Sequence, residues 1–165
     1  VVICSPDKDL AQSVRGKQVV CWDRRRDIVL DEESVVKKFG VRPESIPDWL
    51  ALVGDTADGY PGIKGWGAKS ASAVLFRFRH LESIPHDHEK WELIIGRAKY
   101  LSENLERNRD DALLFRRLAT LREDVPLEEK LDDLEWRGAH ERLKLLCHDL
   151  GDEELPKRIT AWLSS

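Results

Sequence analysis

Methionine is absent from the 165 residues, cysteine is confined to three positions, and no apolar stretch approaches the length of a membrane span. A span needs about 18 or more apolar residues. The first residues, VVICSPDKD, lack the basic, apolar and small-residue zones of a secretory leader. An intracellular protein with no membrane partner is therefore expected. Cys4, Cys21 and Cys147 are odd in number and lack C-x-x-C spacing, so neither a disulfide framework nor a thiolate zinc site is expected, only buried thiols. With no methionine and an opening straight onto an apolar run, the chain reads as part of a longer protein.

What is present is 41% hydrophobic and 35% charged residues, enough apolar surface for one core or two small ones. The net charge of −4 argues against a generally basic nucleic-acid binder. Local patterning points the other way. Residues 59–80 contain no Asp or Glu, yet hold Lys64, Lys69, Arg77 and Arg79.

Val1, Val2, Ile3 and Cys4 read as a strand buried on both faces of a parallel sheet, followed by a loop that turns into a helix over 7–12. Residues 18–22 and 27–30 are further strand candidates, separated by Arg24, Arg25 and Arg26. From Asp31 the period changes. Asp31 is a helix cap, Val35, Val36 and Phe39 make an apolar stripe, and Gly40 stops it. Helices are expected over 47–53, 68–79, 90–108, 111–121 and 139–150. The fold class is α/β followed by all-α. The divisions expected are 1–41, 42–126 and 127–165, the first being the end of an α/β core and the last an extension packing back on it.

Five of the ten glycines, Gly54, Gly59, Gly62, Gly65 and Gly67, fall within fourteen residues just before a helical segment. The core PGIKGWGAKSA has apolar residues between glycines and a lysine just inside the helix. Glycines permit positive φ and close backbone approach, so consecutive amides can be directed at a phosphate at a helix N-terminus. Ile63 and Trp66 then pin the hairpin inward, while Lys69 and Ser70 reach the same phosphate. This is the pattern of a helix-hairpin-helix, which grips DNA backbone without reading sequence. A ligand-free glycine-rich connection is the plainer reading. A Rossmann loop fits less well, because the preceding PDWLALVGD is helical and not a strand.

Asp7 and Asp9 lie two apart after the first strand, and Asp55 and Asp58 lie three apart just before the hairpin. Four convergent carboxylates suit hard cations such as Mg²⁺ or Mn²⁺. Aspartates also cap helices and shape turns, so each pair alone says little. Their position next to a phosphate-binding hairpin gives the combination its weight.

Four segments together, SPDKDL from Ser5, FGVRPESIPD from Phe39, GDTADGYPGIKGWGAKSA from Gly54 and LATLREDVPL from Leu118, resemble the 5′ to 3′ exonuclease domain of bacterial DNA polymerase I and the flap endonuclease superfamily. The resemblance covers nearly the whole chain. It implies a PIN-like α/β nuclease core followed by a helix-hairpin-helix domain, with metal ligands at Asp7, Asp9, Asp55 and Asp58. It further implies K⁺ held by the main-chain carbonyls of Gly62, Ile63 and Trp66, and DNA contacts from Lys64, Gly65, Gly67, Lys69 and Ser70. Trp66 stands where the family has a small aliphatic residue. The implied substrate is double-stranded DNA with a 5′ flap, nick or gap. The family's other metal ligands, an E-x-D-D cluster among them, and its basic helical arch lie in an N-terminal nuclease segment not contained in this sequence. The alternative is a non-catalytic DNA-binding module that keeps the hairpin alone.

Other features have plainer readings. The run His86, Asp87, His88, Glu89 looks like a metal cluster but precedes a helix and reads as an acidic first turn. Trp49, Trp91, Trp136 and Trp162 read as core or half-buried anchors. Cys147 and His148 have no third partner for nucleophilic chemistry.

Overall fold

The computed structural model describes residues 1–163 and divides the chain into two compact units, Val1–Glu123 and the remainder from Asp124. Among the described residues are seven helices and one three-stranded sheet. The architecture is a small α/β layer followed by helices.

The sheet has the order β1 (Val2–Ile3), β2 (Val20–Asp23), β3 (Ile28–Leu30), with β1 parallel and β3 antiparallel to β2. The parallel pairing follows the sequence expectation, but burial on both faces does not. Val1 and Val2 are exposed, because β1 is a two-residue edge strand with a neighbour on one side only. Residues 9–13 make a short 3₁₀ turn in place of the expected α-helical start.

Helix α1 (Glu32–Phe39) begins where the Asp31 side chain accepts from the Ser34 N–H at 2.9 Å and ends at a left-handed Gly40. Helix α2 (Ile46–Val53) is the centre of the unit, with Ile46, Leu50, Ala51 and Leu52 fully buried. Complete burial of each large aliphatic side chain contributes roughly 1.5–3 kcal/mol. Around α2 pack α3 (Ala68–Phe78) and α5 (Arg109–Ala119). Asp48 on α2 is buried and accepts from the Leu81 N–H at 3.1 Å, from Arg116 of α5 at 3.4 Å, and pairs with His80 at 3.0 Å. One carboxylate thus joins three segments.

The helix expected over 90–108 is shorter. Residues 88–91 form a 3₁₀ turn and α4 runs over Ala98–Arg107. Glu92 and Arg97 both have positive φ, +51° and +63°, which no helix interior accommodates. Ile94, counted in the apolar stripe, is fully exposed as a result. Asp87 caps the 88–91 turn by accepting from Glu89 N–H at 3.0 Å, so the histidine-rich run is a capped turn.

The second unit contains a 3₁₀ turn over Leu131–Leu134, α6 (Arg142–Leu150) and α7 (Leu155–Arg158). Ala139 pairs in parallel with Trp162, whose ring carries the Lys144 ammonium 4.4 Å from its centroid. Trp136 is exposed and is not the anchor expected of it. Of the three thiols, Cys21 and Cys147 are buried, but Cys4 is exposed because the edge strand leaves its face uncovered. The last two residues of the expected 127–165 extension lie outside the described residues.

Candidate metal centre and phosphate-gripping hairpin

The carboxylates converge because two short loops meet. Asp9 opens the turn after β1, and its N–H donates to Asp7 Oδ1 at 3.1 Å. Asp55 and Asp58 sit on a loop that closes on itself: Asp55 and Tyr60 exchange both backbone hydrogen bonds, at 2.9 and 3.1 Å. The Ala57 N–H donates to Asp55 Oδ1 at 3.0 Å and shapes the turn within it. Ligand oxygens of Asp9, Asp55 and Asp58 consequently lie within 4.8 Å of one another. Asp7 is outside that trio, exposed at its edge. With Lys8 and Lys38, the exposed Asp7 and Asp58 and the buried Asp55 line an open cavity of about 430 Å³.

Electrostatics make this arrangement costly without a cation. Two carboxylates about 4.8 Å apart repel by roughly 3 kcal/mol at an effective dielectric of about 20. Burial, then the Asp58 hydrogen bond and the charges of Asp7, Asp58 and Asp55, push the Asp9 carboxyl up to about 7. Burial works against the Asp55 charge too, but hydrogen bonds from Lys8 and Ala57 outweigh it and hold its carboxyl below the usual range. The counter-ion is Lys8, whose Nζ is 2.7 Å from Asp55 Oδ2.

Only two buried side-chain polar atoms among the described residues lack a hydrogen-bond partner, Asp9 Oδ1 and the Tyr60 hydroxyl. Both belong to this cluster. The Tyr60 phenol is held well above its ordinary range, first by burial and then by Asp9, Asp55 and Asp58. An orphaned carboxylate oxygen within a trio of oxygen donors is the donor set that a hard divalent cation takes. The residues present therefore fit a hard divalent cation.

Beyond Tyr60 the chain enters the hairpin. The Ile63 N–H donates to Leu52 O at 2.9 Å and Trp66 N–H to Ile63 O at 3.0 Å. Gly62 has φ +72°, and a Cβ there would stand 2.4 Å from Gly54 N, so only glycine lets the hairpin lie against the end of α2. Ile63 and Trp66 are buried as expected, and Trp66 Nε1 donates to Leu101 O on α4 at 3.1 Å. Gly62, Ile63 and Trp66 thus all lie on this turn. Lys64, Gly65 and Lys69 are exposed, and Lys64 and Lys69 form no ion pair among the described residues. Arg77 and Arg79 differ. They pair with Glu92 and, at 3.6 Å, with Glu44. Ser70 Oγ bonds the N–H and the carbonyl of Gly67 at 3.1 and 3.0 Å, so part of its capacity closes the hairpin onto α3.

Sequence reasoning missed three residues here. Lys8 and Tyr60 lie inside the quoted motifs, but nothing in a linear pattern shows which carboxylate a lysine turns to. Asn104, whose Nδ2 donates to Lys64 O at 2.8 Å, is a buried amide between the apolar Leu101 and Leu105. A polar residue within an apolar stripe was the available signal.

A family model described as 5′-3′ exonuclease, C-terminal SAM fold, matches residues 41–142. The chain belongs to the 5′-3′ exonuclease family. Among similar proteins of this kind, a 5′-3′ exonuclease of Aquifex aeolicus is 40% identical over 96% of this chain and 52% of its own length. The DNA polymerase I of Pseudomonas aeruginosa is 39% identical over 89% of this chain and 16% of its own length. The chain thus spans about half, or less, of the curated relatives it matches. Among solved structures, the bacteriophage T5 D15 protein co-crystallised with metal ions superposes with a TM-score of 0.58 at 21% identity, covering 72% of this chain and 42% of that one. The T5 D15 flap endonuclease in a pseudo-enzyme–product complex with DNA and metal ions gives 0.59 at 21% identity, over the same shares. At that identity the likeness concerns the fold of this exonuclease-family chain.

Proposed function

We propose that this chain is the DNA-gripping part of a structure-specific 5′ nuclease, contributing a helix-hairpin-helix and half of a divalent-metal site. The supporting observation is the convergence within 4.8 Å of Asp9, from the turn after β1, with Asp55 and Asp58, from the loop that runs directly into the glycine hairpin. Asp9, Asp55 and Asp58 hold Mg²⁺ or Mn²⁺, with Asp7 at the rim. When bound, the metal neutralises phosphodiester charge and lowers the pKa of the attacking water. The carboxylates act as ligands and not as proton carriers. Lys64, Lys69 and the amides near Gly65 and Gly67 hold the backbone of double-stranded DNA beside a 5′ flap, nick or gap. The carbonyls of Gly62, Ile63 and Trp66 would hold K⁺, whose charge would offset that of a phosphate at the hairpin. Residues 1–41 then form the end of a PIN-like core and 42–126 the helical domain, and an N-terminal nuclease segment supplies the remaining ligands.

Asp55→Ala and Asp58→Ala, each placed in the protein carrying both nuclease halves, are expected to abolish Mn²⁺-dependent cleavage of a 5′-flap duplex while DNA binding stays measurable. Undiminished cleavage would sink the assignment. The alternative, a DNA-binding module without catalysis, draws on the Lys8–Asp55 pair, which already balances one carboxylate. It predicts no calorimetric Mn²⁺ binding by this chain or by the longer protein.

A further inference from the structure

The side of the hairpin facing α4 opens on a groove of about 540 Å³, walled by Gly65, Gly67 and Lys69 on one side and Ile94, Gly96 and Arg97 on the other. Its charge is one-sided. No carboxylate lines it, although the chain carries 31 Asp and Glu. Its two cations, Lys69 and Arg97, form no ion pair among the described residues. Most of the other surface arginines nearby are neutralised, Arg77, Arg79, Arg107 and Arg109 each facing a glutamate.

Arg97 is also held in an unusual way. Its backbone is left-handed, φ +63° and ψ +28°, a conformation that non-glycine residues keep only where the surroundings impose it. The neighbour that engages its side chain is in the first turn of α4. The Arg97 guanidinium lies 4.5 Å from the centroid of the Tyr100 ring. Tyr100 in turn covers Gly65 so closely that a Cβ there would come within 2.5 Å of the ring. Trp66 Nε1 to Leu101 O at 3.1 Å and Asn104 Nδ2 to Lys64 O at 2.8 Å fasten the same two segments together. Helix α4 and the hairpin are therefore fastened together, with Arg97 at the start of the helix and an exposed Ile94 at the rim of the groove.

We propose that this groove extends the hairpin's seat for the DNA backbone toward α4, with Arg97 as a further phosphate contact and Ile94 packing against deoxyribose. The proposal rests on the DNA-gripping reading of the hairpin. A planar guanidinium stacked on an aromatic ring keeps its outer N–H groups in a fixed fork, the geometry that takes a phosphate in bidentate fashion. Apolar surface beside it matches a sugar face, and neither feature selects a base, in keeping with a protein that holds backbone.

The test is fluorescence anisotropy of a labelled 5′-flap duplex bound by the 165-residue chain across a KCl series, with Arg97→Gly, Arg97→Lys and Lys69→Ala. Glycine accepts the left-handed backbone, so Arg97→Gly keeps the fold, verified by its circular dichroism and melting. Expected for Arg97→Gly is a several-fold weaker affinity and a loss of about 0.9 from the slope of log affinity against log salt, one phosphate contact. Arg97→Lys should keep the slope and recover part of the affinity. Arg97→Gly with unchanged affinity and slope, while Lys69→Ala weakens binding, overturns the groove and leaves the hairpin reading standing. If Lys69→Ala and Arg97→Gly both bind like the parent chain, the hairpin reading falls and the groove with it.

Discussion

Lys8 Nζ lies 2.7 Å from Asp55 Oδ2, and that carboxylate is almost wholly buried while the lysine is about one-third exposed. The cation comes from between two of the acids, Asp7 and Asp9, and serves a third from another loop. The protein thereby carries its own partial substitute for a metal charge.

Removing that charge should make the fold dependent on divalent cations. Lys8→Met leaves a buried carboxylate without its partner, which costs up to about 3 kcal/mol, discounted for the exposure of the lysine. Scanning calorimetry in EDTA should show a lower melting temperature than the parent chain, and Mn²⁺ should raise it by more than it raises the parent's. Equal melting in EDTA would show the pair to be energetically idle.

The Asp9 carboxyl gives a pH dependence of definite sign. Its folded pKa, about 7, is above its ordinary 3.8, so the folded state holds a proton that the unfolded state has lost. Without metal, stability therefore falls as pH rises from about 4 to 7 and levels off beyond. The total is on the order of a few kcal/mol, at about 1.4 kcal/mol per pH unit. Asp9→Asn, uncharged throughout, should unfold at higher urea than the parent at pH 8 and at similar urea at pH 4, while losing Mn²⁺ binding. Urea titrations at the two pH values, with calorimetry for the metal, check both halves.

Asp48 is expected to matter for folding and not for metal. Asp48→Ala removes the acceptor shared by Leu81 N–H, His80 and Arg116. Loss of a buried, charge-assisted acceptor of this sort costs about 3–5 kcal/mol. Denaturant melts should register that loss, with Mn²⁺ affinity of the folded fraction unchanged.

Two glycines a few residues apart should respond very differently to the same change. A Cβ at Gly59 meets nothing within 4 Å, although φ is +82°. Gly59→Ala should cost about 1–2 kcal/mol, the backbone penalty alone. At Gly62 the Cβ would strike the backbone of Val53 and Gly54 at 2.5 and 2.4 Å. Gly62→Ala must therefore displace the hairpin from α2, and should lose both several-fold more stability and DNA affinity.

Most of the helices could be read from the sequence because their caps and apolar periods agree. Asp31 before an acidic first turn and Gly40 after Phe39 bound α1 at both ends. The failures have local causes. The 90–108 pattern carries Trp91, Leu101 and Leu105 at helical spacing, but Glu92 and Arg97 take left-handed backbone and break it, and neither residue type announces that. Of the site, the aspartates and the hairpin glycines were legible as patterns of type and spacing. Which three aspartates share oxygens, which one Lys8 satisfies, and that Tyr60 is orphaned beside them depend on how two loops meet in space. No spacing rule encodes that.

The paired backbone bonds between Asp55 and Tyr60 and the seating of Gly62 against Gly54 leave almost no slack between carboxylates and hairpin. Seen mechanically, this is a ruler. On the proposed reading, the separation between the carboxylates that would hold metal and the hairpin that would grip backbone is set by a few covalently linked residues. If the proposed function holds, a one-residue insertion after Tyr60 in the protein carrying both nuclease halves would lengthen the ruler, and the cut, measured on a sequencing gel, should shift or scatter while DNA binding persists.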